Sequence, residues 1–253
     1  MNHDMKVVKS DGKRVDIDLD KIHIMVEKAC RGITGVSESL VEMNSGLQFY
    51  DDITTKEIQK ILVKSASDLI SLDNPNYQFV AARLLLFAIQ KQVFNTKWKD
   101  SEIYPPLLDI IKKNIKLNVY DETILKQYST EEISQLDSYI KHGRDLDFTY
   151  AGLQQVVDKY LVQDRSTGIV YETPQFMYIL IAMTLFARYK DNRLEYVKRY
   201  YDAISQFKIN IPTPVMAGVR TPMRQFASCV LVDVDDSLDS IFSSDLAIGK
   251  YVA

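Results

Sequence analysis

Along the first hundred residues, apolar and polar positions recur with two periods in succession. Met5-Lys6-Val7-Val8-Lys9 and Arg14-Val15-Asp16-Ile17 flank Ser10-Asp11-Gly12-Lys13, which predicts a short hairpin with Asp-Gly in its turn. The period then lengthens to that of a helix. Ile22, Met25, Val26, Ala29 and Cys30 form one face of a first helix, with Asp18 or Asp20 in position to cap it. A second helix begins near Ser37. In a third, Thr54 is the N-cap and Glu57 stands three places on, a capping box ahead of Ile58, Ile61, Leu62, Leu69 and Ile70. After the turn signal Asp73-Asn74-Pro75-Asn76, a fourth helix runs from about Tyr77 to Val93. The unit is a hairpin followed by four helices.

The pattern lapses between Asn95 and Pro106, around Trp98 and the Pro105-Pro106 pair, and a boundary is expected there. Helical spacing resumes at Leu107–Leu117, near Glu122–Gln127, at Thr130–His142 behind a second capping box (Ser129 and Glu132), and at Thr149–Leu161. The stretch from Gln163 to Tyr171 reads as a small hairpin or loop. Thr173 as cap and Pro174 at the first helical position then open an apolar helix to about Tyr189, and Leu194–Phe207 closes the block. Past Lys208 the character changes again. Ile209-Asn210-Ile211 and Ala227–Val232 look like strands separated by a Pro- and Thr-rich loop, and Asp235 or Asp236 caps a final helix from Ser237 to about Tyr251. The expected organisation is residues 1–95, 96–208 and 209–253.

Composition adds mainly exclusions. The 253 residues carry a net charge of −3, without the basic excess that tracks a nucleic-acid backbone. Neither of the two familiar glycine-rich phosphate loops occurs. With only Cys30, Cys229 and three histidines, a Cys/His metal site of ordinary spacing and a disulfide framework are both excluded. The longest apolar run, Phe176 to Ala187, is too short for a membrane span, and the first residues lack a signal core. A soluble protein of a reducing, cytoplasmic compartment is expected.

Spacing alone takes the chemistry of the first unit only to a suspicion. Lys9 in the hairpin, Lys21, Lys91 and Thr55 at a helix start can converge on a polyphosphate. Solvated lysines and a capping threonine explain the same residues, and spacing alone favours that plainer reading.

The motifs change the weighting. Lys9-Ser10-Asp11-Gly12, Leu19-Asp20-Lys21-Ile22 and Ala81-Ala82-Arg83-Leu84 make residues 1–95 resemble the ATP-cone, the regulatory nucleotide-binding domain at the front of many ribonucleotide reductases. Further on, Lys159–Gln163, Gln175-Phe176, Tyr200–Ala203, Pro212-Thr213-Pro214, Gly218–Pro222 and Arg224–Leu231 resemble, in order, the large subunit of the aerobic class I enzyme. The resemblance covers essentially the whole chain. It implies a mainly α fold with small β parts: an ATP-cone (hairpin plus four helices), a helical domain, and the first strand and helix of a ten-stranded α/β barrel.

It also implies roles residue by residue. Lys9, Lys21, Ile22, Thr55 and Lys91 match cone positions that contact ATP or dATP. Ser10, Val15 and Gln59 depart from the family, standing where an arginine, an acidic residue and a histidine are usual, and this puts dATP inhibition in doubt. Thr213 and Ser228 match positions that hydrogen-bond the substrate nucleotide. Cys229 matches one half of a redox-active cysteine pair. A lone cysteine in a strand is otherwise most often a small buried hydrophobe. Asp236, Ser237 and Leu238 match the front of a specificity site for deoxynucleoside triphosphates at a subunit interface, although an aspartate N-cap accounts for the same residues.

Taken together, the resemblance implies reduction of ribonucleoside diphosphates to deoxyribonucleotides. The radical comes from a separate metal-containing small subunit, and thioredoxin or glutaredoxin returns the electrons. No metal site, nucleic acid or membrane is expected in this chain. The radical cysteine and the partner of Cys229 have no counterpart in the sequence, so a split large subunit is expected. In that case a second polypeptide completes the barrel, the large subunits form a homodimer, and the chain is inactive alone, in a host cytoplasm if phage-encoded. A truncated fragment of a longer large subunit, a nucleotide-sensing regulatory module or an inactive remnant is the alternative.

Overall fold

The computed structural model describes residues 5–95 and 104–252. The Trp98 stretch, where the first boundary is expected, lies mostly outside them.

The expected hairpin forms as β1 (Lys6–Val8) and β2 (Arg14–Asp16), paired antiparallel with Val7 opposite Val15. Gly12 takes a φ of +80° in its turn, a conformation open to glycine at little cost, and its amide donates to the Lys9 carbonyl at 2.9 Å. A third strand, β3 (Ile53–Thr54), adds in parallel to the other side of β1, so the order is β2-β1-β3. At two residues β3 is too short to show a period, which is why the sequence pattern misses it.

The four helices follow: α1 (Leu19–Cys30), α2 (Glu38–Gly46), α3 (Thr55–Asp68) and α4 (Tyr77–Phe94). Asp18, not Asp20, caps α1 by accepting from the Lys21 amide, and Ser37 caps α2. The α3 capping box is complete: the Glu57 amide donates to Thr54 Oγ1 at 3.1 Å, and the Thr54 amide donates to the Glu57 carboxylate at 2.9 Å. Val7, Val26, Ile53, Leu62, Val80 and Leu84 fill the core between sheet and helices. Each such side chain contributes roughly 1.5–3 kcal/mol by leaving water.

Helix α4 lacks a single apolar face because it is buried on two sides. Val80, Ala81 and Leu84 face the first core, while Ala82, Leu86, Ile89 and Val93 join a second, larger one. The two units therefore share a helix and meet along it.

The second unit comprises α5 (Leu107–Lys116), α6 (Thr123–Gln127), α7 (Thr130–Tyr139), a 3-10 turn (His142–Asp147), α8 (Tyr150–Lys159), a hairpin of β4 (Gln163–Asp164) and β5 (Ile169–Val170), α9 (Pro174–Phe186) and α10 (Arg193–Ser205). Helix α9 is its axis: every residue from Pro174 to Met183 is buried. Two expected boundaries shift, and one expected cap makes no bond to its helix. Helix α7 stops at Tyr139, short of His142, because Ile140 is extended and the Lys141 amide turns to the Tyr201 hydroxyl at 2.9 Å. Thr173 holds the cap position of α9 without its hydroxyl bonding the helix, so Pro174 alone marks the start. The same helix ends at Phe186, short of Tyr189.

The last stretch departs furthest from expectation. Neither Ile209–Ile211 nor Ala227–Val232 is a strand, and the intervening Pro- and Thr-rich segment forms a short helix, α11 (Thr213–Gly218). A strand's backbone groups need a neighbouring strand, and none lies beside these segments among the described residues. Pro214 presets the backbone for the first turn of α11. The final helix, α12 (Leu238–Val252), forms as expected, but the side chain bonding its first turn is Ser237, whose hydroxyl accepts from the Ser240 amide at 3.2 Å. The expected caps Asp235 and Asp236 do not play that part.

Candidate functional site

One cavity brings together all five residues singled out in the first unit. Its volume is about 280 Å³, and Lys9, Lys21, Ile22, Thr55 and Lys91 all line it. They arrive from four elements: Lys9 from the hairpin turn, Lys21 and Ile22 from the first turns of α1, Thr55 from the start of α3, and Lys91 from the last turns of α4. Ile22 and Ile58 are buried and, with Phe87, Met25 and Val15, make an apolar wall. Lys9, Lys21 and Lys91 are exposed and stand at the mouth. The start of α3, where its capping box is formed, adds the positive end of a helix dipole.

The charges around the mouth do not cancel. Four lysines and two aspartates line the cavity. Asp18 is ion-paired with Lys21, which holds its carboxyl below the usual carboxylate range, and Asp16 is ion-paired with Lys6. Among the described residues, Lys9, Lys28 and Lys91 have no carboxylate partner. Three uncompensated cations over an apolar wall favour a ligand with a polyanionic end and a flat, weakly polar body.

Lys28 and Gln90 are cavity residues that the sequence reading missed. Lys28 lies two helical turns beyond Lys21 on the same face of α1, a spacing that could have revealed it. Gln90 sits among mostly apolar residues of α4 and gave no such signal. Gln59 and Val15, two of the three departures from the family pattern, also line the cavity. The Gln59 amide nitrogen is already engaged with the Leu84 carbonyl at 2.8 Å. Ser10, the third, is exposed on the turn.

The residues singled out in the last stretch are not gathered in the same way. Thr213 is the first residue of α11, and Ser228 and Cys229 lie in irregular chain; all three are exposed. Ser228 Oγ is 3.8 Å from Cys229 Sγ, and no hydrogen bond joins either residue to Thr213 among the described residues. Cys229 is a free, exposed thiol. Asp236, Ser237 and Leu238 are exposed at the start of α12.

What fixes this stretch to the helical unit is Arg220, which the sequence reading passed over inside Gly218–Pro222. Its side chain is wholly buried and ion-paired with an equally buried Glu172. Arg220 also donates to the carbonyls of Met216 (2.6 Å) and Tyr160 (2.8 Å). Glu172 further accepts from the Tyr120 hydroxyl at 2.7 Å and the Val162 amide at 2.8 Å. Burial and the neighbouring Glu172 carboxylate push the Tyr120 phenol well above its usual range, so it stays a donor. Four residues later Arg224 reaches the Asp121 carboxylate, the last ionic tie before Cys229.

Among the described residues no group of three or more His, Cys, Asp or Glu side chains is placed to hold a metal ion, and no helix is long and apolar enough to cross a membrane. Residues 5–92 match the family model of the ATP cone domain, and residues 146–224 match that of the ribonucleotide reductase all-alpha domain. Across its whole length the chain is 49% identical to ribonucleoside-diphosphate reductase 1 subunit alpha of Salmonella typhimurium and 48% identical to that of Escherichia coli. Over 98% of its length it is 41% identical to the subunit alpha of Enterobacteria phage T4. It spans about a third of the length of these relatives.

Proposed function

We propose, from the premise that the chain belongs to the ribonucleotide reductase family as a counterpart of the N-terminal portion of its alpha subunit, that its first unit is an effector site for ATP or dATP. The observation that carries this reading is the convergence of Lys9, Lys21, Thr55 and Lys91 on one cavity whose cations outnumber its anions. Triphosphate oxygens meet Lys9, Lys91 and the start of α3, and the nucleoside lies against Ile22, Ile58 and Phe87. Ser10 brings no guanidinium to the hairpin turn, and the Gln59 amide nitrogen is committed to Leu84. The lost guanidinium at Ser10, together with the changes at Val15 and Gln59, weakens the response to the inhibitor, so dATP inhibits weakly or not at all while ATP still binds.

The remainder of the chain serves the reduction of ribonucleoside diphosphates within a complete large subunit. Removing the ribose 2′-hydroxyl as water consumes two electrons, which two thiols supply by closing a disulfide. Cys229 is one of those thiols, and Thr213 and Ser228 hold the substrate beside it. The other thiol comes from the barrel that completes the subunit, the radical from a metal-containing small subunit, and the reducing electrons from thioredoxin or glutaredoxin. Asp236, Ser237 and Leu238 face a second large subunit, where a deoxynucleoside triphosphate selects the substrate.

Calorimetric titration of the purified chain tests the first half directly. ATP is expected to bind at one site with release of heat, and Lys9→Gln with Lys91→Gln is expected to remove it. Absence of ATP binding to the folded wild-type chain would overturn the reading.

A further inference from the structure

One buried titratable group takes no part in the cavity or in the Arg220 anchor. Asp145, in the 3-10 turn His142–Asp147, is 1% exposed. Its Oδ1 accepts from Gln175 Nε2 at 2.8 Å, and its Oδ2 is buried without a hydrogen-bond partner. The Gln175 amide is oriented by its neighbours. The Lys141 amide donates to the Tyr201 oxygen at 2.9 Å, so the Tyr201 hydroxyl proton goes to Gln175 Oε1 at 2.5 Å and Nε2 turns to Asp145.

Among the described residues no cation is ion-paired with this carboxyl. Tyr178 of α9 and Tyr201 of α10 face it, and burial pushes both phenols up, so both are neutral near pH 7. Arg144, the adjacent cation, is engaged with Asp202 and Ser205, each at 2.7 Å. Burial pushes the His142 imidazole down to about 4, which keeps it neutral as well. Arg83 of α4 donates to the Ala29 and Arg31 carbonyls, beside Asp147 at the end of the turn. A carboxylate taken out of water without a counter-charge is driven to its protonated form. Burial accordingly pushes Asp145 up to about 7, against the pull of its Gln175 bonds.

The turn that carries Asp145 is also a joint between the two units, packed on both α4 and α9. At its start His142 stacks on Tyr104, with ring centroids 3.7 Å apart. The Tyr104 hydroxyl is hydrogen-bonded at 3.1 Å to the side-chain amide of Gln90, which lines the cavity. At its end Leu146 and Asp147 line a groove with Phe79 and Arg83 of α4. Between these contacts Asp145 is held by α9 through Gln175. We propose that Asp145 is a proton latch on this joint: protonated, it keeps the turn seated between α4 and α9, and ionised, it favours an unseated turn that gives the carboxyl to water. By linkage, seating the turn takes up a proton between the ordinary aspartate range and about 7, so the seated state weakens as pH rises through that window and levels off above it.

Carbon-13 NMR of the full chain, labelled at its aspartate carboxyls, tests the protonation. One carboxyl is expected to titrate near neutrality, and Asp145→Asn is expected to remove that signal. If every aspartate carboxyl of the wild-type chain is ionised by about pH 6, the proposal is overturned, whether or not the variant folds. Amide hydrogen exchange tests the latch. Exchange at residues 141–147 is compared with that of α3 in the same chain, so that the common pH dependence cancels. This ratio is expected to rise roughly tenfold or more between about pH 5 and pH 7, since each unit of pKa difference is a factor of about ten. In Asp145→Asn, which keeps an acceptor for Gln175 and has nothing to ionise, the ratio is expected to stay constant. A constant ratio in the wild-type chain means a buried acid without a latch and overturns the proposal. A rise that Asp145→Asn retains overturns it too.

Discussion

The cavity of the first unit and the stretch from Thr213 to Leu238 are held in opposite ways. Hairpin, α1, α3 and α4 surround the cavity, and each is fastened at the end that meets it: a glycine turn, an aspartate cap, a capping box, a helix buried on two sides. The later stretch is fastened strongly at one point, Arg220, and more lightly at Arg224; beyond that, its chemistry-bearing side chains stand in solvent. A site enclosed by elements that pack on one another is preorganised by the fold. One carried on a tether acquires its geometry from whatever packs on it.

Breaking the tether should have the largest effect. Glu172→Gln leaves the Arg220 guanidinium wholly buried without its counter-charge, a change that costs about 3–5 kcal/mol. Denaturant titration should show that loss of stability, and limited trypsin digestion should cut faster after Arg224. If stability holds, Arg220 does not anchor the stretch.

Next in size are the cations at the cavity mouth. Lys9→Gln and Lys91→Gln should each weaken ATP roughly tenfold, since hydrogen bonds to charged groups are worth about 1.5–3 kcal/mol and solvent discounts these exposed ones. Among the described residues neither lysine has an ionic partner to lose, so stability should stay within about 0.5 kcal/mol of wild type. An equal drop in stability and affinity would mean that the lysines build the fold instead of reading the ligand.

Smaller again is the cap of α3. Thr54→Ala removes the hydroxyl that accepts from the Glu57 amide and should cost about 1 kcal/mol in thermal or denaturant unfolding. Because Thr55 follows directly and lines the cavity, ATP affinity should fall with it, coupling stability to binding in the first unit.

These contrasts also explain what could be read before a structure was in hand. Caps and periodicity are local, so the hairpin, the four helices and both capping boxes were legible, and family motifs added which of their residues converge. Partners distant in sequence were not. Glu172 and Arg220 meet across 48 positions, and nothing near either residue announces the other. The two-residue β3 and the cavity residue Gln90 depend on packing in the same way. The segments 209–211 and 227–232 are irregular here for a related reason: β-branched and apolar runs report a preference for pairing, while the pairing itself needs a second strand at the right distance.

The two cysteines offer the finest test, because each region contains one. Cys30 is buried on α1, and burial pushes its thiol up to about 11, so very little thiolate exists near neutral pH. Cys229 is exposed in irregular chain. An alkylating reagent at pH 8 should therefore modify one thiol per native chain quickly, and the second only after denaturant is added. Cys229→Ser should abolish the fast reaction while changing stability by less than about 0.5 kcal/mol, since an exposed side chain with no packing partner is replaced by one of similar size. ATP affinity should be unchanged, because the cavity is closed by elements that do not include this stretch. A fast reaction that survives the substitution would place the accessible thiol on α1, and the view of the first unit as a closed, fully packed site would fall with it.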